Sequence, residues 1–288
     1  MSAALLLDAL RRKEEQIVRY ATMMVGAALV LAYVVGPAAA QGAKPLRKCA
    51  PDAVVSGTGC IDRYEASVWR VPDPRGANKK LVKTLQQGKA KVADLMAGGA
   101  TQLGVPYGNY APCNRNGQNC LDDIYAASLP GVKPSAYSTW FQAQAACDNV
   151  AKRLPSNAEW QAAVTGTPDP GPDNGTTDCK TTGQDTTLTG SRSACVSARG
   201  AFDMVGNLSE WVADWVPGST SCGAWSAEVS PTGDHQCLLG ATTGTTDEPG
   251  ALLRGGGYNS LTGAGPLTVN GSIAPSIGGP TIGFRCAR

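Results

Sequence analysis

The chain has one histidine and three phenylalanines in 288 residues, and only 17% of its residues are charged. These shortages exclude several function classes. A Ser-His-Asp hydrolase would have to use His235. That residue sits in a cysteine-bounded loop with no nucleophile-elbow motif near it. Cys-x-x-Cys does not occur, so nothing matches the ligand spacing of a structural zinc site. No Gly-x-x-x-x-Gly-Lys phosphate loop occurs either. The net charge is +2. Without clustered Lys and Arg there is no electrostatic footprint for nucleic acid.

What the chain does have is 35 glycines, 19 prolines, six tryptophans and ten cysteines. That mixture suits a loop-rich globular domain anchored by a few large aromatics rather than a helical bundle. Tyr20 to Val35 is apolar, with Arg11, Arg12, Lys13 and Arg19 before it and Ala38-Ala39-Ala40 after it. Basic flank, apolar run and Ala-x-Ala site read as an export signal cleaved after Ala40. The rival is an uncleaved membrane anchor, but the run falls short of the ~20 apolar residues a span needs. Residues 1–40 are therefore assigned as signal or anchor, 41–48 as a linker and 49–288 as one domain. Export to a periplasmic, cell-surface or secreted location fits the cysteines, which all follow residue 40 and are even in number. Local spacing suggests the pairs Cys49 with Cys60, Cys113 with Cys120, Cys179 with Cys195 and Cys222 with Cys237, without fixing them. Cys147 and Cys286 are left over.

Cys60 to Trp69 alternates apolar and polar residues as a half-buried strand does. Lys79 to Met96 reads as one helix, with Leu81, Leu85, Val92, Leu95 and Met96 on a rough helical period and Gly98-Gly99 as its stop. This piece, residues 79–97, is taken as an insert. Tyr137 to Ala151 reads as a helix capped by Ser138, with Trp140, Phe141, Gln144, Ala145 and Val150 on the face that carries Cys147. Ser156 caps a second helix, and Glu159 three residues on completes a capping box. Trp160, Ala163 and Val164 then point inward. Thr165 to Arg199 and Pro217 to Pro249 have no apolar period and read as loops. Trp211 and Trp215 are four residues apart on a strand, so both are expected on one buried face.

Four motifs stand in a fixed order: Lys-Arg-Leu-Pro-Ser-Asn-Ala-Glu-Trp (152–160), Gly-Ala-Phe-Asp-Met-Val-Gly-Asn-Leu-Ser-Glu-Trp (200–211), Leu-Leu-Arg-Gly-Gly-Gly-Tyr (252–258) and Gly-Phe-Arg-Cys-Ala (283–287). Together they resemble the formylglycine-generating enzyme, or sulfatase-modifying factor, family. The resemblance implies an α+β, C-type-lectin-like domain, loop-rich and disulfide-bonded. It implies a bridge from Cys147 to Cys286, and a structural Ca²⁺ near Asn207 and Glu210. The bland alternative is that Asn207 turns the chain and Glu210 caps it. Asp173, Asn174 and Asp178 are a weaker second candidate for an ion.

The family's copper-binding cysteine pair follows the Gly-Gly-x-Tyr motif. Here those positions hold Ser260 and Gly265. Cu(I) needs soft thiolate ligands, so no copper is expected and no catalytic residue is assigned. Residues 257–281 are instead rich in small and polar types. This resembles the variable proteins of diversity-generating retroelements, which present diversified residues on such a scaffold. The resemblance implies a ligand-binding face made of Tyr258, Asn259, Ser260, Thr262, Asn270, Ser272, Ile273, Ser276, Ile277 and Thr281. Tyr gives contact area, and Ser, Gly and Asn give adaptable hydrogen bonds. The expected partner is a protein or surface ligand, with contact to membrane only through an N-terminal anchor. The alternatives are a formylglycine-generating oxidase with a displaced site and a fixed structural surface domain.

Overall fold

A computed structural model describes residues 48–216, 222–224, 233–237 and 249–288. The expected signal or anchor and most of the loop 217–249 lie outside these residues. Among the described residues no helix is long and apolar enough to cross a membrane.

The domain opens with a hairpin of β1 (Ala53–Ser56) and β2 (Gly59–Asp62), turned by Gly57 at φ 57°. Next comes β3 (Ala66–Arg70), which pairs antiparallel with β4 (Thr101–Leu103) and β5 (Ile124–Ser128) in a second sheet. The single strand expected over Cys60 to Trp69 is thus two strands in two sheets. The chain leaves the first sheet at Arg63, whose carbonyl is taken by Phe202 N–H at 2.8 Å, and then buries Glu65 completely.

The segment between β3 and β4 holds two helices, not one: α1 (Lys79–Gln86) and α2 (Val92–Ala97). Gly88, at φ 66°, breaks them apart. A left-handed residue cannot continue a helix. Leu81, Leu85 and Leu95 are buried, but the break turns Met96 out to 64% exposure.

Helix α3 (Trp140–Asp148) is capped by Thr139 rather than Ser138: the Thr139 hydroxyl accepts from Gln142 N–H, and Gln142 returns its amide oxygen to Thr139 N–H. The Ser138 carbonyl instead accepts from the Trp211 indole at 3.0 Å. The shift by one residue puts Ala143, Ala146 and Cys147 at the core and leaves Trp140 and Phe141 on its flank. Helix α4 (Asn157–Val164) has the Ser156–Glu159 capping box and buries Trp160, Ala163 and Val164. Fully burying a side chain the size of Val164 stabilises the fold by roughly 1.5–3 kcal/mol, and a methyl such as that of Ala163 by less.

The largest sheet runs β11-β6-β9-β10-β8-β7, formed by β6 (Ser209–Val216), β7 (Cys222–Ala224), β8 (His235–Cys237), β9 (Gly250–Arg254), β10 (Val269–Ile273) and β11 (Ile282–Phe284). It is mixed, with β11 parallel to β6 and β10 parallel to β8. Strand β9 is buried along its whole length, as is β6 over Glu210–Val212. Trp211, Ala251 and Leu253 join one apolar cluster with β3, β5 and α3, whereas Val212 and Leu252 join another with Trp160. This is the period-two alternation of a strand between two layers. It fails at the far end of β6. A register shift between Trp211 and Trp215 leaves Trp211 fully buried and Trp215 40% exposed. Between the pairs Trp211–Leu253 and Trp215–Ala251, β6 spends four residues where β9 spends two, and such an irregularity interrupts the pleat and bends the strand.

Disulfides join Cys49 to Cys60, Cys113 to Cys120, Cys147 to Cys286 and Cys179 to Cys195. Cys222 and Cys237 face one another in the β7–β8 register. The side chains of that pair lie outside the described residues.

Candidate ligand-binding site

The four sequence motifs meet in one buried knot. Glu210, from β6, accepts from the Trp160 indole at 2.7 Å and pairs with Arg285 at 2.6 Å. Arg254, at the end of β9, lies over the Trp160 ring at 4.6 Å and donates to Gln161. Burial draws the Arg254 pKa down to about 10. Beyond Arg254 the chain turns through Gly255 and Gly256, both at positive φ. A Cβ there would come 2.6 Å from the Met204 carbonyl and 2.7 Å from Ala264 Cα, so only glycine fits. The knot positions the C-terminal segment.

Its electrostatics are acidic. Glu65, Asp203 and Glu210 are all buried around Arg285. Burial, with Asp203 and Glu210 nearby, holds the Glu65 carboxyl well above the usual range. Burial likewise pushes Asp203 up to about 7. The Arg285 charge offsets part of this for both acids, and its guanidinium makes three contacts to Glu210.

Asn207 and Glu210 do not fit a calcium ion as they are arranged. Both Glu210 oxygens accept from Arg285. The Asn207 amide oxygen accepts from Thr187 N–H at 2.9 Å, and its NH₂ donates to Glu65. A hard cation would need those oxygens facing one another and unclaimed. Asn207 turns the chain at φ 57° and ties three segments together. Its N–H donates to the Lys180 carbonyl, and its carbonyl accepts from Tyr258 N–H. In the weaker acidic group, Asp173 accepts from the backbone of Gly175, Thr181 and Thr182, while Asn174 accepts from that of Thr176, Thr177 and Asp178. Those contacts close a loop.

At the two positions of the family's cysteine pair the geometry is specific. Ser260 accepts from Gly257 N–H at 2.9 Å and starts a 3₁₀ turn over Leu261–Gly263. Gly265 lies so close to Asp234 that any Cβ would collide with its carboxylate. Asp234 in turn accepts from Leu267 N–H at 2.7 Å. Among the described residues no cysteine is free.

The ten residues expected on the binding face fall into separate groups. Asn259 and Thr262 are exposed around the 3₁₀ turn, with Ser260 half-buried between them. Asn270, Ser272 and Ile273 are half-buried on β10, where the Asn270 side chain accepts from Ser272 N–H. Ser276 and Ile277 turn past the start of α3, where Trp140 N–H donates to Pro275 and Arg115 donates to Ser276. Thr281 lies over Gly257. Tyr258 departs from the surface-loop expectation. It is 7% exposed, because its backbone is drawn inward by Asn207.

Tyr258 instead lines a cavity of about 600 Å³, where the two ends of the segment meet. Tyr137, Lys133, Asp185 and Pro280 line it as well. Burial, then Tyr137 and Asp185, raises the Tyr258 phenol above its ordinary pKa. Lys133 pairs with Asp185 at 2.5 Å and donates to the Thr186 carbonyl at 2.8 Å. That pair holds the Asp185 carboxyl below the usual range. The sequence pattern does not single out these residues: Lys133 and Asp185 lie in loops with no apolar period, and Tyr137 reads as the first residue of a helix that starts only at Trp140. The Cys179–Cys195 bridge around Asp185 was the one local signal.

No curated protein matches the chain. Among solved structures, the chain is similar to the Major Tropism Determinant U1 variant, with 16% identity, 82% of this chain and 52% of that chain covered, and a TM-score of 0.44. It is similar to Treponema denticola variable protein 1, with 18% identity, coverage of 54% and 70%, and a TM-score of 0.34. It is also similar to PvdO from Pseudomonas aeruginosa, with 20% identity, coverage of 80% and 80%, and a TM-score of 0.37. The chain thus spans about half the length of the first of these structures. Residues 112–288 match the sulfatase-modifying factor enzyme 1-like domain, and with that match over more than half its length the chain belongs to that family.

Proposed function

We propose that this is an exported, non-catalytic member of its family that binds a ligand through its C-terminal segment. The observation that carries the reading is at Ser260 and Gly265. One is a hydroxyl closing a turn, and the other is a glycine against the Asp234 carboxylate, which any side chain there would have to displace. Thiolate chemistry needs sulfur at that place, and the eight cysteines whose side chains are described are committed to disulfides. The bridges also favour an oxidising compartment. A scaffold stapled this way holds loop ends still, so binding orders less of the chain. Residues 257–281 are the part proposed to vary between copies.

Two measurements test this reading. Sequencing the 3′ end of the gene across a natural population should show substitutions confined to adenine positions within codons 257–281. A uniform 3′ end would remove the diversified face and leave a fixed domain. Incubating the purified protein with copper, oxygen and a sulfatase-type cysteine peptide should yield no aldehyde. Aldehyde above the protein-free control would restore the oxidase reading.

A further inference from the structure

We infer that the cavity beside Tyr258 is a subsite for a neutral carbohydrate. The inference rests on the ligand-binding reading and names the class of ligand. Tyr137 sits at φ 65°, a conformation that bulky residues rarely adopt. Such strain costs about 1–3 kcal/mol and persists only where the surroundings impose it. Here they do. Tyr137 N–H donates to the Gly279 carbonyl, and Gly108 leaves only 2.6 Å between any added Cβ and the Tyr137 Cβ. The backbone is thus held so that Tyr137 stands on the same cavity wall as Tyr258.

The chemistry of the wall selects the ligand. One charge pair is present, and it is self-satisfied: Lys133 contacts Asp185 and the Thr186 carbonyl. An ionic ligand would have to break that pair. Among the described residues, the hydroxyls of Tyr137 and Tyr258 and the amide of Gln184 have no protein hydrogen-bond partner. Around them lie Pro106, Pro134 and Pro280. Flat apolar rings with hydroxyls and an amide at their edges match a sugar, which has a C–H face and a rim of hydroxyls. Tyrosine supplies both kinds of surface in one stiff side chain. The volume of about 600 Å³ lies within the range of about 300–1,000 Å³ that takes ligands larger than one ring.

The test applies the full chain to an array of neutral, acidic and sulfated glycans and of proline-rich peptides. Neutral glycans that are retained are then titrated by saturation-transfer NMR. Tyr137→Phe and Tyr258→Phe keep the rings and remove only the hydroxyls. Each is expected to weaken binding about tenfold, the effect of losing roughly 1.4 kcal/mol. Gln184→Ala, on an exposed loop residue, should weaken it less without altering the melt. Retention of charged glycans alone, of proline-rich peptide alone, or of nothing overturns the proposal. Neutral-glycan binding that ignores the cavity variants but is lost in Asn259→Ala or Thr262→Ala also overturns it. That last result would leave the broader C-terminal binding reading standing.

Discussion

Asn207 and Thr187 are joined by a hydrogen bond from the Thr187 backbone to the Asn207 amide oxygen, 2.9 Å long and 20 residues apart in sequence. Through it the loop that carries Asp185 is fixed to the strand that carries Glu210. Asn207→Ala removes this bond and the bond to Glu65, and it places alanine at a φ of 57°. Leaving buried partners unmatched costs about 1–3 kcal/mol each, so a loss of about 2–4 kcal/mol in urea melts is expected. Chelation with EDTA should leave the parent's Tm unchanged. A Tm that rises with added Ca²⁺ would show that the folded protein binds the ion and would reopen the calcium reading.

Arg285 is the cation for three buried acids, Glu65, Asp203 and Glu210. Arg285→Met leaves them uncompensated. Breaking a buried pair from one side costs about 3–5 kcal/mol, measured at pH 7.5. The defect should shrink at pH 5, because Asp203, with a pKa of about 7, is then protonated. An equal loss at both pH values would mean that Asp203 does not titrate in this range.

The same groups set the pH dependence of the parent. Asp203 is raised from 3.8 to about 7, and Asp62 from 3.8 to about 6, in each case first by burial. A raised acid binds its proton more tightly in the folded state. Its contribution is therefore whole below about pH 4 and is lost as pH rises through the folded pKa. Acids held low by partners, such as Glu159 and Asp185, act oppositely but only near or below their ordinary range. Calorimetry should find a higher Tm at pH 5 than at pH 7.5. Asp203→Asn, which keeps an acceptor for Gly190 N–H, should flatten that slope. A Tm that climbs toward pH 7.5 would refute the assignment.

The two β6 tryptophans mark the limit of what the sequence displays. Period-two spacing puts Trp211 and Trp215 on one face, and the bulge between them undoes it. A bulge comes from the register of neighbouring strands, which local pattern does not encode. In the same way, Gly88 breaks an otherwise helical pattern, and Thr139 takes the cap because Trp211 claims the Ser138 carbonyl. By contrast the Ser156–Glu159 box and the four disulfide pairs follow from residue type and short spacing, or from the family motifs. The cavity was the least legible part, since its walls are gathered from distant loops. Trp211→Ala should cost about 3–5 kcal/mol. Trp215→Ala should cost about 0.5–1.5 kcal/mol, the worth of its edge contacts with Trp140 and Phe141. Equal losses would place Trp215 in the core after all.

The disulfides divide by how much chain they close. Cys147–Cys286 spans 139 residues, whereas the other three described bridges span 7 to 16. By chain entropy the long bridge stabilises by about 5 kcal/mol and a 15-residue one by about 3. The long bridge also ties α3 to the chain just beyond β11, so it clamps both ends of the core that Trp211 fills. Cys147→Ala with Cys286→Ala should therefore lower stability most, by up to about 5 kcal/mol in guanidinium melts. Cys113→Ala with Cys120→Ala should cost less and leave the near-UV spectrum of the core tryptophans intact. If the short-bridge variant is the less stable of the two, loop closure is not the source of the stabilisation. The strain each bridge holds in the native state would then decide the order.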